Sequence, residues 1–208
     1  MTTAVLNKLC AQIPWCEPTV LELTLDLALE IAREGREGRR IGTLFTLGKA
    51  EAVLAASRAL ILDPLAGHTP TRTHIADTDL RGTLKELAQL DGAFVISEAG
   101  TVVAACRYLD ASAEQIDLPL GLGSRHLAGA AISQRLGAVA IVVSESGTVR
   151  VFHGGRIEAT LIPELWLLAR HHLQLGPALD AEPHGPMTHT PDCSRDTALS
   201  GTEAGRGD

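Results

Sequence analysis

The stretch DGAFVISEAGTVVAACRYL, residues 91–109, decides the fold of this chain. Two apolar runs, 93–96 and 102–105, flank the turn-forming residues SEAG. Short β-branched runs joined by a turn that contains glycine are typical of a β-hairpin. A similar design returns at 138–152, AVAIVVSESGTVRVF, where the turn is SESG. The chain therefore contains two predicted hairpins, although one resemblance of this length does not establish a repeat.

The segments around the hairpins are predicted from leucine spacing, capping residues and turn residues. The predicted elements are a helix in 17–40 that stops near Gly35 or Gly38, a buried strand in 41–48, a loop in 63–75, a helix in 77–90, a helix after Arg125 and a helix in 163–175. Two points stay open: the cap of the 77–90 helix is Asp77 or Asp79, and 49–62 suits either a short helix or a turn followed by a strand.

Strands that alternate with helices, together with hairpins, predict the α/β class: a single domain with a central mixed β-sheet flanked by helices. The expected organisation is an N-terminal helical segment, 1–36, a globular domain, 37–177, and a tail, 178–208. The tail is rich in Gly, Pro, Thr, Asp and Ser and has few large apolar residues, so we expect it to be disordered.

Composition narrows the class of protein. The chain has 208 residues and a net charge of −7, which argues against nucleic-acid binding because that function favours a basic face. The four cysteines form no CxxC pair, which favours free thiols in a reducing compartment over a disulfide framework. Neither a signal peptide nor an apolar run long enough to span a bilayer is present in the sequence. We therefore expect a cytoplasmic protein with no membrane partner.

The first candidate site is Asp91-Gly92-Ala93, at the start of the first hairpin. An aspartate at a strand edge can hold a divalent metal or accept a proton from a hydroxyl nucleophile. Gly92 and Ala93 leave room for a ligand against the backbone. The alternative interpretation is an ordinary Asp-Gly turn.

The second candidate is GLGSRH, 121–126, at a predicted helix start. Unpaired N–H groups and the helix dipole attract anions there, and Arg125 adds a planar guanidinium that suits phosphate oxygens. Gly123, Ser124 and His126 complete the segment; Ser124 could cap the helix or donate to a phosphate. The alternative is a helix N-cap with an exposed arginine. The segment lacks the dinucleotide-binding glycine spacing, and the chain has no GxxxxGK[ST] loop.

The third candidate is Ser144-Glu145, where the second hairpin turns. Glu145 could be a second metal ligand or a ribose ligand, and the alternative is an exposed turn. The histidines show neither HxxxH nor HExxH spacing, so a histidine metal site is not expected.

Taken together, these motifs resemble the diadenylate cyclase (DAC) domain family over about 42–158, on DGAF (91–94), YL (108–109), GLGSRH (121–126) and VSESG (143–147). The resemblance implies that two ATP molecules condense into cyclic di-AMP with release of two pyrophosphates. It also implies a divalent metal, Mg²⁺, Mn²⁺ or Co²⁺. No residue of these motifs explicitly selects adenine over guanine.

The resemblance carries roles over to matching positions. Asp91 corresponds to the residue that helps to place the metal and to activate the ribose 3′-hydroxyl, with Glu145 as the second metal ligand. The backbone of Leu109 would contact adenine. The other implied nucleotide-binding residues are Gly92, Ala93, Gly123, Ser124, Arg125, His126 and Ser144, and of these Arg125 and His126 are also catalytic candidates.

Two positions depart from the pattern of many bacterial members. Leu127 stands where those members have a second arginine after Arg-His, and Ser146 stands where they have a second acidic residue. Without the second arginine the segment is more similar to archaeal-type members. A catalytically inactive nucleotide-binding module is therefore the alternative function. Because each ATP must attack the other, the resemblance also implies a homo-oligomer, at least a dimer of facing protomers.

Overall fold

The computed structural model describes residues 2–110 and 116–170. The helices are α1 (Thr2–Gln12), α2 (Pro18–Glu34), α3 (Ala50–Ala55), α4 (Thr78–Leu87), α5 (Ser124–Leu136) and α6 (Pro163–Arg170). The strands are β1 (Thr43–Gly48), β2 (Ser57–Ala59), β3 (Ala93–Ser97), β4 (Val102–Leu109), β5 (Val139–Val143), β6 (Val149–His153) and β7 (Arg156–Leu161).

The strands of the described part of the chain form one mixed sheet in the order β2-β4-β3-β1-β5-β6-β7. Strand β1 lies at its centre, parallel to β3 on one side and antiparallel to β5 on the other. Both predicted hairpins are present as the antiparallel pairs β3–β4 and β5–β6. The predicted α/β class with a mixed sheet and flanking helices is therefore confirmed.

Helices cover both faces of the sheet. Successive side chains of a strand point to opposite faces, so the helices bury both sets of side chains of the central strands. On one face, Phe45 and Phe94 stack with ring centroids 5.0 Å apart and share a core with apolar residues of α2 and α4. On the other face, Leu44 and Val95 pack in a second core that includes Ile132 of α5. This second face carries the candidate site.

Several predicted boundaries are confirmed by backbone contacts. Helix α2 ends at Glu34, and Gly35 closes it with φ 58° and an N–H bond to the carbonyl of Ile31. Asp77, one of the two candidate caps, accepts hydrogen bonds from the N–H groups of Asp79 and Leu80 and so caps α4. The open segment 49–62 contains both alternatives, since helix α3 is followed by strand β2.

Three details differ from the sequence-based expectations. The 77–90 helix ends at Leu87, before the predicted position. Ser124 does not cap α5: Gly123 occupies the cap position, and Ser124 is the first helical residue. Strand β7 was not predicted, although the Gly154-Gly155 pair before it is a turn signal that could have indicated another hairpin.

Among the helices described by the structure, none has the length and hydrophobicity needed to cross a bilayer. Cys10, Cys16 and Cys106 are free thiols, and Cys193 lies outside the described residues. The predicted tail, 178–208, also lies outside them, and the division into 1–36, 37–177 and 178–208 stays a prediction.

Candidate active site

The register of the central strands brings the first and third motifs to one edge of the sheet. Leu44 of β1 pairs with Ala93, at the beginning of β3, and with Val142, near the end of β5. Asp91 precedes β3 and Glu145 follows β5, so their side chains emerge on either side of the beginning of β1. Two carboxylates that are far apart in sequence thus become neighbours.

Arg125 connects these two carboxylates. Its Nη2 donates to Asp91 Oδ1 at 3.3 Å, and its Nη1 donates to Glu145 Oε1 at 3.1 Å. The Asp91 side chain is 86% exposed and that of Glu145 is 66% exposed, so both ion pairs are accessible to solvent. Such pairs contribute little to stability, and a more strongly charged ligand can displace them. The arrangement is therefore suited to exchange partners when a ligand binds.

Gly92 is required by close packing against the neighbouring strand. It has φ +110°, and a Cβ at this position would lie 2.5 Å from the carbonyl carbon of Cys106. Cys106 itself has φ 54°, where the β3–β4 register shifts. The glycine of the first motif thus lets an irregular part of β4 approach the base of the site, whether or not a ligand also contacts it.

Helix α5 presents its N-terminus to the site. Gly123 is in the cap position without a side-chain hydrogen bond, and the first helical residues are Ser124 and Arg125. The helix lies close to the sheet because Gly129 faces it: a Cβ there would be 2.9 Å from Val142 Cγ2. The small residues of α5 therefore place a helix start, with its unpaired N–H groups, beside the two carboxylates.

His126 is 6% exposed, and its ring packs edge-on against Phe152 with centroids 6.2 Å apart. Its Nε2 lies 3.2 Å from Nη1 of Arg150, on β6. Burial, and after it the positive charges of Arg150 and Arg125, lower the pKa of His126 below its ordinary value. The sequence indicated His126 as a phosphate ligand but gave no reason to connect it with Arg150.

All ten predicted site residues line one of two adjacent cavities. The larger, of about 440 Å³, is lined by the predicted residues Asp91, Gly92, Ala93, Leu109, Ser124 and Arg125. The smaller, of about 220 Å³, is lined by the predicted residues Gly123, Ser124, Arg125, His126, Ser144 and Glu145. Ser124 and Arg125 line both cavities. The structure thus brings the predicted residues together, and their individual roles stay predictions.

The structure adds residues that the sequence interpretation left out of the site. Leu44, Leu60, Arg107, Tyr108, Leu127 and Ala128 also line the larger cavity. Gly42 lies beneath the Arg125–Glu145 pair, since a Cβ there would be 2.9 Å from Arg125 Nη1 and 3.2 Å from Glu145 Cγ. The only local signal for Gly42 was its position as the second residue of the predicted strand 41–48.

The donor set fits a divalent cation only in part. Among the described residues, no group of three or more His, Cys, Asp or Glu side chains could hold a metal. Asp91 and Glu145 supply two hard oxygen donors that already converge on one cationic group, Arg125. Mg²⁺ is commonly bound by one or two carboxylates, together with substrate phosphates and water. The pair therefore suits a cation that arrives with a nucleotide.

An α/β sheet with a helix N-terminus and an arginine beside a cavity belongs to the class of domains suited to phosphate-bearing ligands. Residues 30–157 match the family model described as DAC, DisA bacterial checkpoint controller nucleotide-binding. The chain belongs to this DAC family.

Two curated relatives are named diadenylate cyclase. The protein of Methanocaldococcus jannaschii is 44% identical over 156 residues, which are 74% of this chain and 49% of that protein. The protein of Haloferax volcanii is 42% identical over 151 residues, which are 72% of this chain and 55% of that protein. The predicted similarity to archaeal members is thus confirmed, and the chain spans about half the length of the curated relatives it matches.

One solved structure has a comparable architecture. A hypothetical membrane spanning protein from Bacillus cereus has a TM-score of 0.51 at 19% identity, with 70% of this chain and 64% of that one covered. DacA from Staphylococcus aureus has a TM-score of 0.48 at 22% identity, with 74% of this chain and 96% of that one covered. The likeness to the Bacillus cereus protein shows a shared fold alone.

Proposed function

We propose that this chain contains the catalytic domain of a diadenylate cyclase, which joins two ATP molecules into cyclic di-AMP and releases two pyrophosphates. The observation that carries the proposal is the position of Asp91 and Arg125. They face each other 3.3 Å apart at the wall of a cavity of about 440 Å³, next to the start of α5. The names of the two archaeal relatives support the same activity.

In this proposal, Asp91 accepts the proton of a ribose 3′-hydroxyl, and that oxygen forms a bond with the α-phosphorus of the second ATP. The bond from the α-phosphorus to the oxygen that bridges to the β-phosphorus breaks, and pyrophosphate leaves with the electron pair. Arg125 and the N–H groups of α5 stabilise the negative charge on the α-phosphate and on the leaving group. The reaction needs no covalent intermediate on the protein.

We further propose that Asp91 and Glu145 hold a divalent cation, Mg²⁺, Mn²⁺ or Co²⁺, together with the phosphates of ATP. Bound there, such a cation would neutralise phosphate charge and lower the pKa of the attacking hydroxyl. Arg125 now occupies the space between the two carboxylates, so its guanidinium is expected to turn from them to the phosphates when the nucleotide binds. Arg125 would thus pair with the two carboxylates in the free protein and bind phosphate in the complex.

The proposal requires two protomers. Two successive 3′-to-α-phosphate attacks close the ring, so two ATP molecules must lie head to tail, and a pair of sites related by a two-fold axis provides this arrangement. Large apolar side chains at the mouth of the larger cavity are partly exposed: Leu60 and Leu127 are each 39% exposed, and Tyr108 is 48% exposed. Such a rim suits burial against a second copy of the chain.

The second candidate function is a module that binds a nucleotide without turnover. It is motivated by Leu127, which places an apolar side chain where an arginine stands in many bacterial members, and by Ser146, which replaces a second acidic residue. Both functions share the same cavity and the same ATP ligand, so only turnover separates them.

The deciding experiment incubates the purified 208-residue chain with ATP and Mn²⁺, Mg²⁺ or Co²⁺ and separates the products chromatographically. We expect cyclic di-AMP from the unmodified chain and from Asp79→Asn, an exposed aspartate outside the site, but none from Asp91→Asn. ATP binding without product would favour the inactive module, and the absence of ATP binding would reject both functions. A parallel incubation with GTP measures base selectivity.

A further inference from the structure

Arg150 and His126 make a contact that determines where the imidazole carries its proton. Arg150 Nη1 lies 3.2 Å from His126 Nε2. A guanidinium has only N–H donors, so Nε2 must be the acceptor. An imidazole that accepts at Nε2 is neutral and carries its proton on Nδ1. The geometry therefore selects one of the three protonation forms of this ring.

His126 Nδ1 has no partner in the described part of the chain. It is a buried nitrogen without a hydrogen-bond acceptor, in a side chain that is 6% exposed. A buried N–H without an acceptor is unfavourable, so such a group in a folded protein calls for an explanation. His126 lines the smaller cavity, next to Ser124 and Ser144, where the phosphates are proposed to bind. A ligand oxygen is the partner that this donor lacks.

The position of Arg150 is itself fixed. Its Nη1 also donates to Thr148 Oγ1 at 3.0 Å, and Thr148 continues through Ser146 to Ser144 in a chain of hydroxyl contacts of 3.2 and 2.9 Å. None of the ion pairs among the described residues includes Arg150. Its positive charge is therefore free of a carboxylate and acts on the imidazole.

The two cations near His126 favour the neutral ring. Arg150 faces it from β6, and Arg125 precedes it on α5; both are cations that oppose a further positive charge. Glu145, which lines the same cavity, is paired with Arg125. The packing residue Phe152 carries no charge. Nothing among these neighbours compensates an imidazolium.

We propose that Arg150 is a positioning residue of the nucleotide site: it holds His126 neutral with the proton on Nδ1, so that this N–H donates to a phosphate oxygen. The part that concerns the phosphate rests on the proposed function, whereas the part that concerns the proton does not. The positive charge of the site then comes from Arg125 and Arg150. A cation from β6 thus stands near the helix start that has Leu127 in place of a second arginine.

The first experiment determines directly which ring nitrogen of His126 carries the proton. Long-range ¹H–¹⁵N NMR spectra of the full chain, with labelled histidine and His126→Gln for assignment, distinguish the two neutral tautomers and the charged ring. We expect the Nδ1-protonated form in the unmodified chain and in Arg150→Lys, which keeps a donor and a charge. Arg150→Met should shift the proton to Nε2 and raise the pKa, whereas Arg156→Met, an exposed control on β7, should change neither.

A proton on Nε2 in the unmodified chain, or a tautomer and pKa that do not change in Arg150→Met, would overturn the proposal. If Arg150→Met does not fold, the spectra of the unmodified chain and of Arg150→Lys decide the question.

The second experiment measures ATP and adenosine affinities by calorimetric titration or competition. We expect Arg150→Met to weaken ATP binding about tenfold and adenosine binding by no more than about twofold, because only ATP offers phosphate oxygens. Equal losses for both ligands, or no loss, would contradict the phosphate part. If the unmodified chain bound neither ligand, the proposed function and the proposed contact between His126 and a phosphate would fail together. The NMR result would still show whether Arg150 keeps the proton of His126 on Nδ1.

Discussion

Arg125, in the first turn of α5, donates from Nη2 to Asp91 Oδ1 at 3.3 Å, although the two residues are 34 positions apart. The contact joins a proposed phosphate ligand to a proposed base and metal ligand before any nucleotide is present. A guanidinium binds carboxylates and phosphates through the same planar donors. Nucleotide binding is therefore expected to exchange one anionic partner of Arg125 for another, with Asp91 released toward the 3′-hydroxyl.

Replacing Arg125 tests this exchange. We expect Arg125→Met to lower kcat/KM for ATP by about 10²–10³-fold, the loss typical when one donor to a developing charge is removed. Arg125→Lys should lose less, because it keeps the charge but not the planar pair of donors. Steady-state cyclic di-AMP formation measures both, with the exposed Arg72→Met as the control. Turnover by Arg125→Met at the level of the control would contradict the assigned role.

Replacing Gly92 or Gly42 with alanine should affect different properties of the protein, stability in the first case and turnover in the second. In Gly92→Ala the new Cβ meets the backbone of Cys106 at 2.5 Å, at φ +110°, so we expect the free energy of unfolding to fall by about 3 kcal/mol. In Gly42→Ala it meets the end of the Arg125 side chain at 2.9 Å, which can move. We therefore expect a change in stability below about 0.5 kcal/mol together with reduced turnover.

Urea unfolding of both variants, with activity assays of Gly42→Ala, measures these effects. Gly67→Ala is the matched control for Gly92→Ala, because Gly67 has φ +82° and open space around its Cβ position. A Gly92→Ala variant as stable as Gly67→Ala would show that β4 is not held close at this point.

The lowered pKa of His126 predicts that the folded chain loses stability as the pH falls below neutrality. Its pKa in the folded chain is lowered from the ordinary value of 6.5, so below pH 6.5 the unfolded chain binds a proton that the folded chain does not. The stabilising contribution is present above pH 6.5 and is lost as the pH falls toward the lower, native pKa, with a limiting slope of about 1.4 kcal/mol per pH unit.

Chemical denaturation of the unmodified chain and of His126→Gln between about pH 7.5 and about pH 5, which covers most of the range in which histidine titrates, isolates this effect. The two stability profiles should converge as the pH falls, because the variant has no imidazole to protonate. Profiles that stay parallel would mean that His126 titrates alike in both states.

If catalysis requires two associated protomers, the rate of cyclic di-AMP formation per subunit should depend on protein concentration. We expect the rate of cyclic di-AMP formation per subunit to fall on dilution through the dissociation range, because one site presents one nucleotide. Activity assays over a dilution series, matched to sedimentation of the same samples, measure this. A rate per subunit that does not change while the chain dissociates would exclude catalysis between facing protomers.

Most of the candidate site could be predicted from sequence because its residues occur in short motifs with local physical meaning. Asp91-Gly92-Ala93 lies at the start of β3, 121–126 at the start of α5 and Ser144-Glu145 after β5, where side chains and N–H groups are available to ligands. Gly42 and Arg150 were missed because nothing in their own neighbourhoods marks them. Gly42 matters through the Arg125–Glu145 pair above it, and Arg150 matters through the ring of His126.

The sequence alone predicted the two hairpins, an end of α2 near Gly35 or Gly38 and a cap of α4 at Asp77 or Asp79, since these depend on residues a few positions apart and on the backbone preferences of Gly and Asp. It also predicted which side chains bind a nucleotide. Only the tertiary structure decided how they meet. Strand β1 runs parallel to β3 and antiparallel to β5, and that register places Asp91 and Glu145 at one edge, within reach of one arginine. Such pairing depends on packing across the whole sheet, which no local pattern encodes.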